Sequence, residues 1–138
     1  MTVNNQIVVF TLNKQQYALP IVNVSEIIRV MEVTEVPNVD YYCKGIINLR
    51  GSVVPVISLS LRLGLEESEL SNESRVVVIE KEEQKLGMIV DSVSSVSLYT
   101  DDEIEKPEAM KSSGDFINGV IHQKNNIILL LDMEKIIN

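Results

Sequence analysis

Apolar positions along the chain fall into short, nearly continuous β-branched runs separated by polar or glycine-bearing pairs, a spacing that predicts strands joined by tight turns. The clearest unit is Gly45 to Leu59. Its two runs, Gly45-Ile46-Ile47-Asn48-Leu49 and Val53-Val54-Pro55-Val56-Ile57, meet at Arg50-Gly51-Ser52 and read as a β-hairpin. Runs this continuous fit strands covered on both faces or wrapped into a small barrel. Pro55 has no N–H for a ladder, so its strand should be edge-like or bulged there.

Before this hairpin, Ile7 to Leu12 and Gln16 to Ile21 read as strands around Asn13-Lys14-Gln15. Ile21, Val24, Ile27 and Ile28 recur at three and four, which predicts a short helical turn before an extended Ile28 to Val36. After it, the polar Ser71-Asn72-Glu73-Ser74 marks the boundary of a first half. Arg75 to Glu80 and Lys85 to Val90 form another hairpin around Glu82-Glu83-Gln84, followed by Val93, Val96 and Leu98. Thr100 to Ser113, charged and interrupted by Pro107, is expected to be a surface excursion.

The second half repeats the first. Val8 to Ile27 superposes on Val77 to Val96 at a constant offset of 69 residues, and Gly45-Ile46-Ile47 returns as Gly119-Val120-Ile121 at an offset of 74. The turns correspond too, Arg50-Gly51-Ser52 to Lys124-Asn125-Asn126. Two copies, each too small for a generous core, should pack together and share one. The expected fold is mainly all-β, two small five-stranded antiparallel barrels approximating residues 7–70 and 75–132. Strand exchange between them is left open by the duplicated pattern. Asp132 caps a last short helix, 133–137, for which no counterpart after Leu59 is evident.

The chain has 138 residues, 45% of them hydrophobic, enough for one domain with a real core. A formal net charge of −8 opposes the counterion release that drives nucleic-acid binding and repels an anionic membrane surface. No apolar run approaches the roughly 20 residues of a spanning helix. Met1 to Gln6 lacks the features of a secretory signal, which points to the cytoplasm. Cys43 is the only cysteine, so no intrachain disulfide forms, and a small core residue is expected there.

Catalytic chemistry finds no constellation. His122 is the only histidine and no nucleophile elbow accompanies it, so it reads as a hairpin-end residue with a solvent or backbone partner. Zinc, EF-hand and phosphate-loop patterns are missing, and no cofactor or metal is expected. Asp101, Asp102, Glu103 and Glu105 read as a solvated loop.

Val36-Pro37-Asn38, Lys44 to Gly51 and Val54 to Ile57 with Leu59 resemble the CheW family, the coupling proteins of bacterial chemotaxis. Val24-Ser25-Glu26-Ile27, Gly87 to Val93, Asn118 to Ile121 and Leu131 to Ile137 extend that likeness in order over nearly the whole chain. The resemblance implies two SH3-like barrels, no catalysis, and a cytoplasmic adaptor recruited to membrane-associated receptor arrays. It would join the cytoplasmic tip of methyl-accepting chemoreceptors to the regulatory domain of the histidine kinase CheA. Receptor binding would use Glu26 and the turn Asn48, Leu49, Arg50 and Gly51; kinase docking would use an apolar patch onto which Val8, Ile21 and Val24 fall.

Ser58 and Ser60 depart from an acidic and a basic residue common in the family, which removes one ion pair beside the hairpin. Such a variant fits a non-flagellar, chemotaxis-like pathway controlling pili or surface movement. With 138 residues consumed by the barrels, a standalone adaptor is expected. The competing reading from another class is a small-ligand-binding double barrel whose groove is the pocket.

Overall fold

In a computed structural model, residues 5–106 and 116–137 are described. The first half contributes β1 (Gln6–Leu12), β2 (Gln15–Pro20), a 3-10 turn (Ile21–Asn23), β3 (Val24–Arg29), β4 (Cys43–Leu49), β5 (Ser52–Ser58) and α1 (Leu59–Arg62). The second contributes β6 (Arg75–Lys81), β7 (Gln84–Val90), β8 (Ser92–Leu98), a 3-10 turn (Asp101–Glu103), β9 (Ile104–Glu105), β10 (Ile117–Gln123), β11 (Asn126–Leu131) and α2 (Met133–Ile137). Residues 107–113 of the expected surface excursion, and the first four of the chain, lie outside the described residues.

The strands form two sheets, but not one from each half. One sheet runs β8-β1-β2-β11-β10-β9 and the other β3-β6-β7-β5-β4. The contiguous stretches 7–70 and 75–132 are therefore not the two sheets: β1 and β2 join the late strands, and β6 and β7 join the early ones. Four pairings join the halves: β1 with β8 and β3 with β6 antiparallel, and β2 with β11 and β5 with β7 parallel, the last two setting Leu129 beside Tyr17 and Ile57 beside Met88. The β8 sheet also has a sixth, two-residue strand, β9, beyond the five expected.

Both sheets close on themselves. Thr34, downstream of edge strand β3, exchanges backbone hydrogen bonds with Ile46 of the opposite edge strand β4, at 2.8 and 2.9 Å. In the other sheet the Gln123 side chain of β10 donates to the carbonyl of Leu98 on β8 at 2.6 Å.

This closure explains the continuous apolar runs. Along β1, Ile7 and Val9 point into the interior of their own sheet with Ala18, Ile121, Ile128 and Leu130, whereas Phe10 and Leu12 enter a cluster shared by both sheets. On β6, Val76 and Val78 likewise turn inward while Val77 and Ile79 join the shared cluster. Each of these two strands has period two, but both of its faces are dry, so the polar half of the alternation is lost. Pro55 sits where the expectation requires: β4 flanks it, but the β7 ladder begins only at Val56.

Turn geometry records the duplication. Asn13 and Lys14 have φ of 50° and 70°, and Glu82 and Glu83, 69 residues on, have 52° and 68°. Arg50 and Gly51 at 51° and 88° are answered by Lys124 at 51°. Positive φ at both central residues matches the right-handed twist of two-residue hairpins.

Two expectations are corrected. The short helical turn expected from Ile21, Val24, Ile27 and Ile28 is present but confined to Ile21–Asn23, and the extended chain begins at Val24 rather than Ile28. The six-residue strand that follows has a bulge between Val24 and Glu26, which stretches the apolar spacing from two to three. The terminal helix also has its counterpart, α1, at the same 74-residue offset. Ser58 accepts from the Leu61 amide and Asp132 from the Glu134 amide, so the two short helices carry equivalent caps.

Candidate functional site: the Arg50 turn and its neighbours

The β4–β5 turn is exposed and yet geometrically fixed. Asn48 accepts from the Gly51 amide through its side chain at 2.9 Å, which closes the turn. Leu49 is buried in the interior of the β3 sheet and anchors the strand end there. Arg50 at the tip has 66% of its side chain exposed and forms an ion pair with Glu26 on β3. Since β3 and β4 are the two edge strands of that sheet, this pair spans the seam where the barrel closes.

Beside the tip the surface is mixed. Val53 lies directly across from Asn48 and is 68% exposed, so an apolar face adjoins the charged one. Four of the five residues expected to meet a receptor, Glu26, Asn48, Arg50 and Gly51, thus share one accessible edge. Leu49 supports it from within.

The residues expected to meet a kinase are placed less uniformly. Val8 is 2% exposed and offers no area to a partner. Ile21 and Val24 are half-buried at the crossing from one sheet to the other, and Val24 packs on the shared cluster. Between them Val22 projects at 84% exposure. Sequence pattern passed over Val22, because a lone valine in an apolar run gives no sign of facing out.

Other candidates stay apart. His122 on β10 is 3.6 Å from Glu105 on β9 and is exposed. Asp102 and Glu103 cap a 3-10 turn: their carboxyls are held below the usual range, Asp102 first by the Thr100 hydroxyl and Glu103 first by the Thr100 backbone N–H. Among the described residues no group of three or more His, Cys, Asp or Glu side chains is arranged to hold a metal ion. No helix of the described residues is long and apolar enough to cross a membrane. Cys43 is half-buried against the shared cluster.

Residues 6–138 match the family model for the CheW-like domain. The chain belongs to the CheW family. It is 34% identical to the chemotaxis protein CheW of Bacillus subtilis over 135 residues, 96% of this chain and 86% of that one. Among solved structures, the scaffolding protein TtCheW of Thermoanaerobacter tengcongensis superposes with a TM-score of 0.86 at 32% identity, covering 96% of this chain and 87% of the other. Protein PilI of Pseudomonas aeruginosa is 30% identical over 117 residues, 83% of this chain and 66% of PilI. CheW membership makes this a chemotaxis scaffold of two closed sheets. Ser58 and Ser60 are both buried here, and Ser58 serves as the α1 cap.

Proposed function

We propose that this chain is a non-catalytic adaptor that couples methyl-accepting chemoreceptors to a CheA-type histidine kinase, at receptor arrays on the cytoplasmic side of the membrane. The observation that carries the receptor half is the Arg50 turn: a cation fixed by Glu26 at an exposed hairpin tip, beside the apolar Val53. A preorganised charge sets register and on-rate, while apolar neighbours supply most of the affinity. The kinase half rests on the crossing between the sheets, where the exposed Val22 stands between the half-buried Ile21 and Val24. Val8 lies in the core and contributes no contact area there.

Co-sedimentation of the chain with the kinase regulatory domain, and separately with a receptor cytoplasmic fragment, tests both halves. Arg50→Ala is expected to lose the receptor complex and keep the kinase complex. Equal loss of both, or of neither, counts against the division of surfaces. A second reading, an adaptor of a non-flagellar chemotaxis-like pathway, is favoured by the likeness to PilI and by Ser58 and Ser60. It changes the cognate partners, not the mechanism.

A further inference from the structure

Each half ends in the same unit: an aromatic residue, a hairpin and a capped short helix. The Ser58 amide donates to the Tyr42 carbonyl and the Asp132 amide to the Phe116 carbonyl, both at 2.8 Å, so Tyr42 and Phe116 are equivalents 74 residues apart. Between their rings lies one guanidinium, that of Arg62 at the end of α1, 4.8 Å from the first centroid and 4.9 Å from the second. Arg62 also reaches across to α2, its Nε donating to the Ile136 carbonyl at 3.0 Å and its Nη2 to the Lys135 carbonyl at 3.1 Å. The symmetry breaks here. Where the first half has Arg62 the second has Ile136, which is buried in the shared cluster.

A five-residue helix has no stability of its own, so its docking contacts decide whether it stays. For α2 these are the Ile136 plug, Met133 packed beside it on the shared cluster, an ion pair between Lys81 and Glu134, and the Arg62 clasp on its last carbonyls. Neither sheet needs it, because the β11 ladder ends at Leu131. On its outer side Ile137 borders an open cavity of about 360 Å³ lined by Pro55, Ile79, Leu86, Lys81 and Lys85. Ile79 also belongs to the shared cluster, as does Ile136, so the cavity wall and the core meet at Ile79 beside α2.

We propose that α2 is a strap latched by Arg62, which undocks from the shared cluster as a unit while both sheets stay folded. The latch needs arginine. A planar guanidinium can stack between two rings and present donors in its plane to the helix carbonyls, whereas an ammonium keeps the charge and loses both the stack and the fork. Undocking would join the space vacated by Ile136 to the cavity beside Ile137.

Amide hydrogen exchange on the intact chain tests this, with wild type, Arg62→Ala and Arg62→Lys compared. In wild type the Ile136 amide, which donates to the Asp132 carbonyl at 3.2 Å, is expected to exchange through a local opening, faster than the amides of β1 and β6. In Arg62→Ala the Ile136 amide should exchange at least about tenfold faster, equivalent to about 1.4 kcal/mol of opening free energy. The β1 and β6 amides should stay unchanged. Arg62→Lys should follow the alanine variant and still decide the matter if Arg62→Ala does not fold. Wild-type exchange of the Ile136 amide only with global unfolding, unchanged Ile136 exchange in Arg62→Lys, or acceleration spread equally over Ile136 and the sheets would each overturn the latch.

Discussion

Glu26 on edge strand β3 and Arg50, 24 residues on in the turn that follows edge strand β4, form an ion pair that spans the seam at which that sheet closes. The seam does not depend on it, because backbone hydrogen bonds between Thr34 and Ile46 already cross it. An exposed pair is worth about 0–1 kcal/mol. Arg50→Ala should therefore lower Tm by no more than about 4 °C while weakening receptor binding at least about tenfold. Calorimetry beside a binding isotherm checks both. A large fall in Tm would make Arg50 a structural residue.

The kinase face calls for two substitutions with different signatures. Val24 packs on the shared cluster, so Val24→Asp buries a charge and should cost about 2–4 kcal/mol of stability as well as kinase affinity. Val22 is almost wholly exposed, and Val22→Asp should leave stability within about 0.5 kcal/mol while weakening the kinase complex. Urea titrations with sedimentation of the complex separate the two. Full kinase affinity in Val22→Asp would move the contact away from this crossing.

The long central strands such as β1 and β6 were legible because they carry apolar residues on both faces, and the hairpin turns because short polar or glycine-bearing breaks separate those runs; β9 was not, because two residues in a charged stretch leave no pattern. Nor was the exchange of strands. The strands of one half have the same alternation as those of the other, so Tyr17 could face Ile57 or Leu129 on pattern alone. The four-residue α1 was missed because its cap, Ser58, continues the strand before it. At the Arg50 turn the residue types were readable, but the burial of Leu49 and Val8 and the outward face of Val22 depend on which sheet covers which. Arg62 was invisible for the same reason: its two rings and its helix carbonyls come from distant parts of the chain.

Gly45 is where the closure of the sheet meets a backbone limit. Its φ is +141°, and a Cβ added there would fall 2.0 Å from the carbonyl oxygen of Thr34, the atom that accepts from the Ile46 amide. Backbone cannot yield as a side-chain end can. Gly45→Ala should destabilise by about 2–4 kcal/mol, seen as a lower urea midpoint at unchanged m-value. A variant as stable as wild type would mean that the 34–46 bridge is dispensable.

Acid sensitivity should localise to the 3-10 turn Asp101–Glu103. Glu103 accepts from the Thr100 amide at 2.9 Å and from the Gln123 side chain at 3.3 Å, and Asp102 accepts from the Thr100 hydroxyl at 2.5 Å. Both carboxyls are depressed in the folded chain, so they bind protons less readily there than in the unfolded one. The stability they contribute is then fully present above the ordinary carboxylate range, about pH 4–5, and is lost as pH falls through the lowered folded values. Glu103→Gln cannot titrate and forfeits the charge-assisted bonds. Its stability should lie below that of wild type at pH 7, and the gap should narrow as the pH falls below about 4. A gap that stays constant from pH 7 to pH 3 would show that Glu103 acts through shape rather than charge.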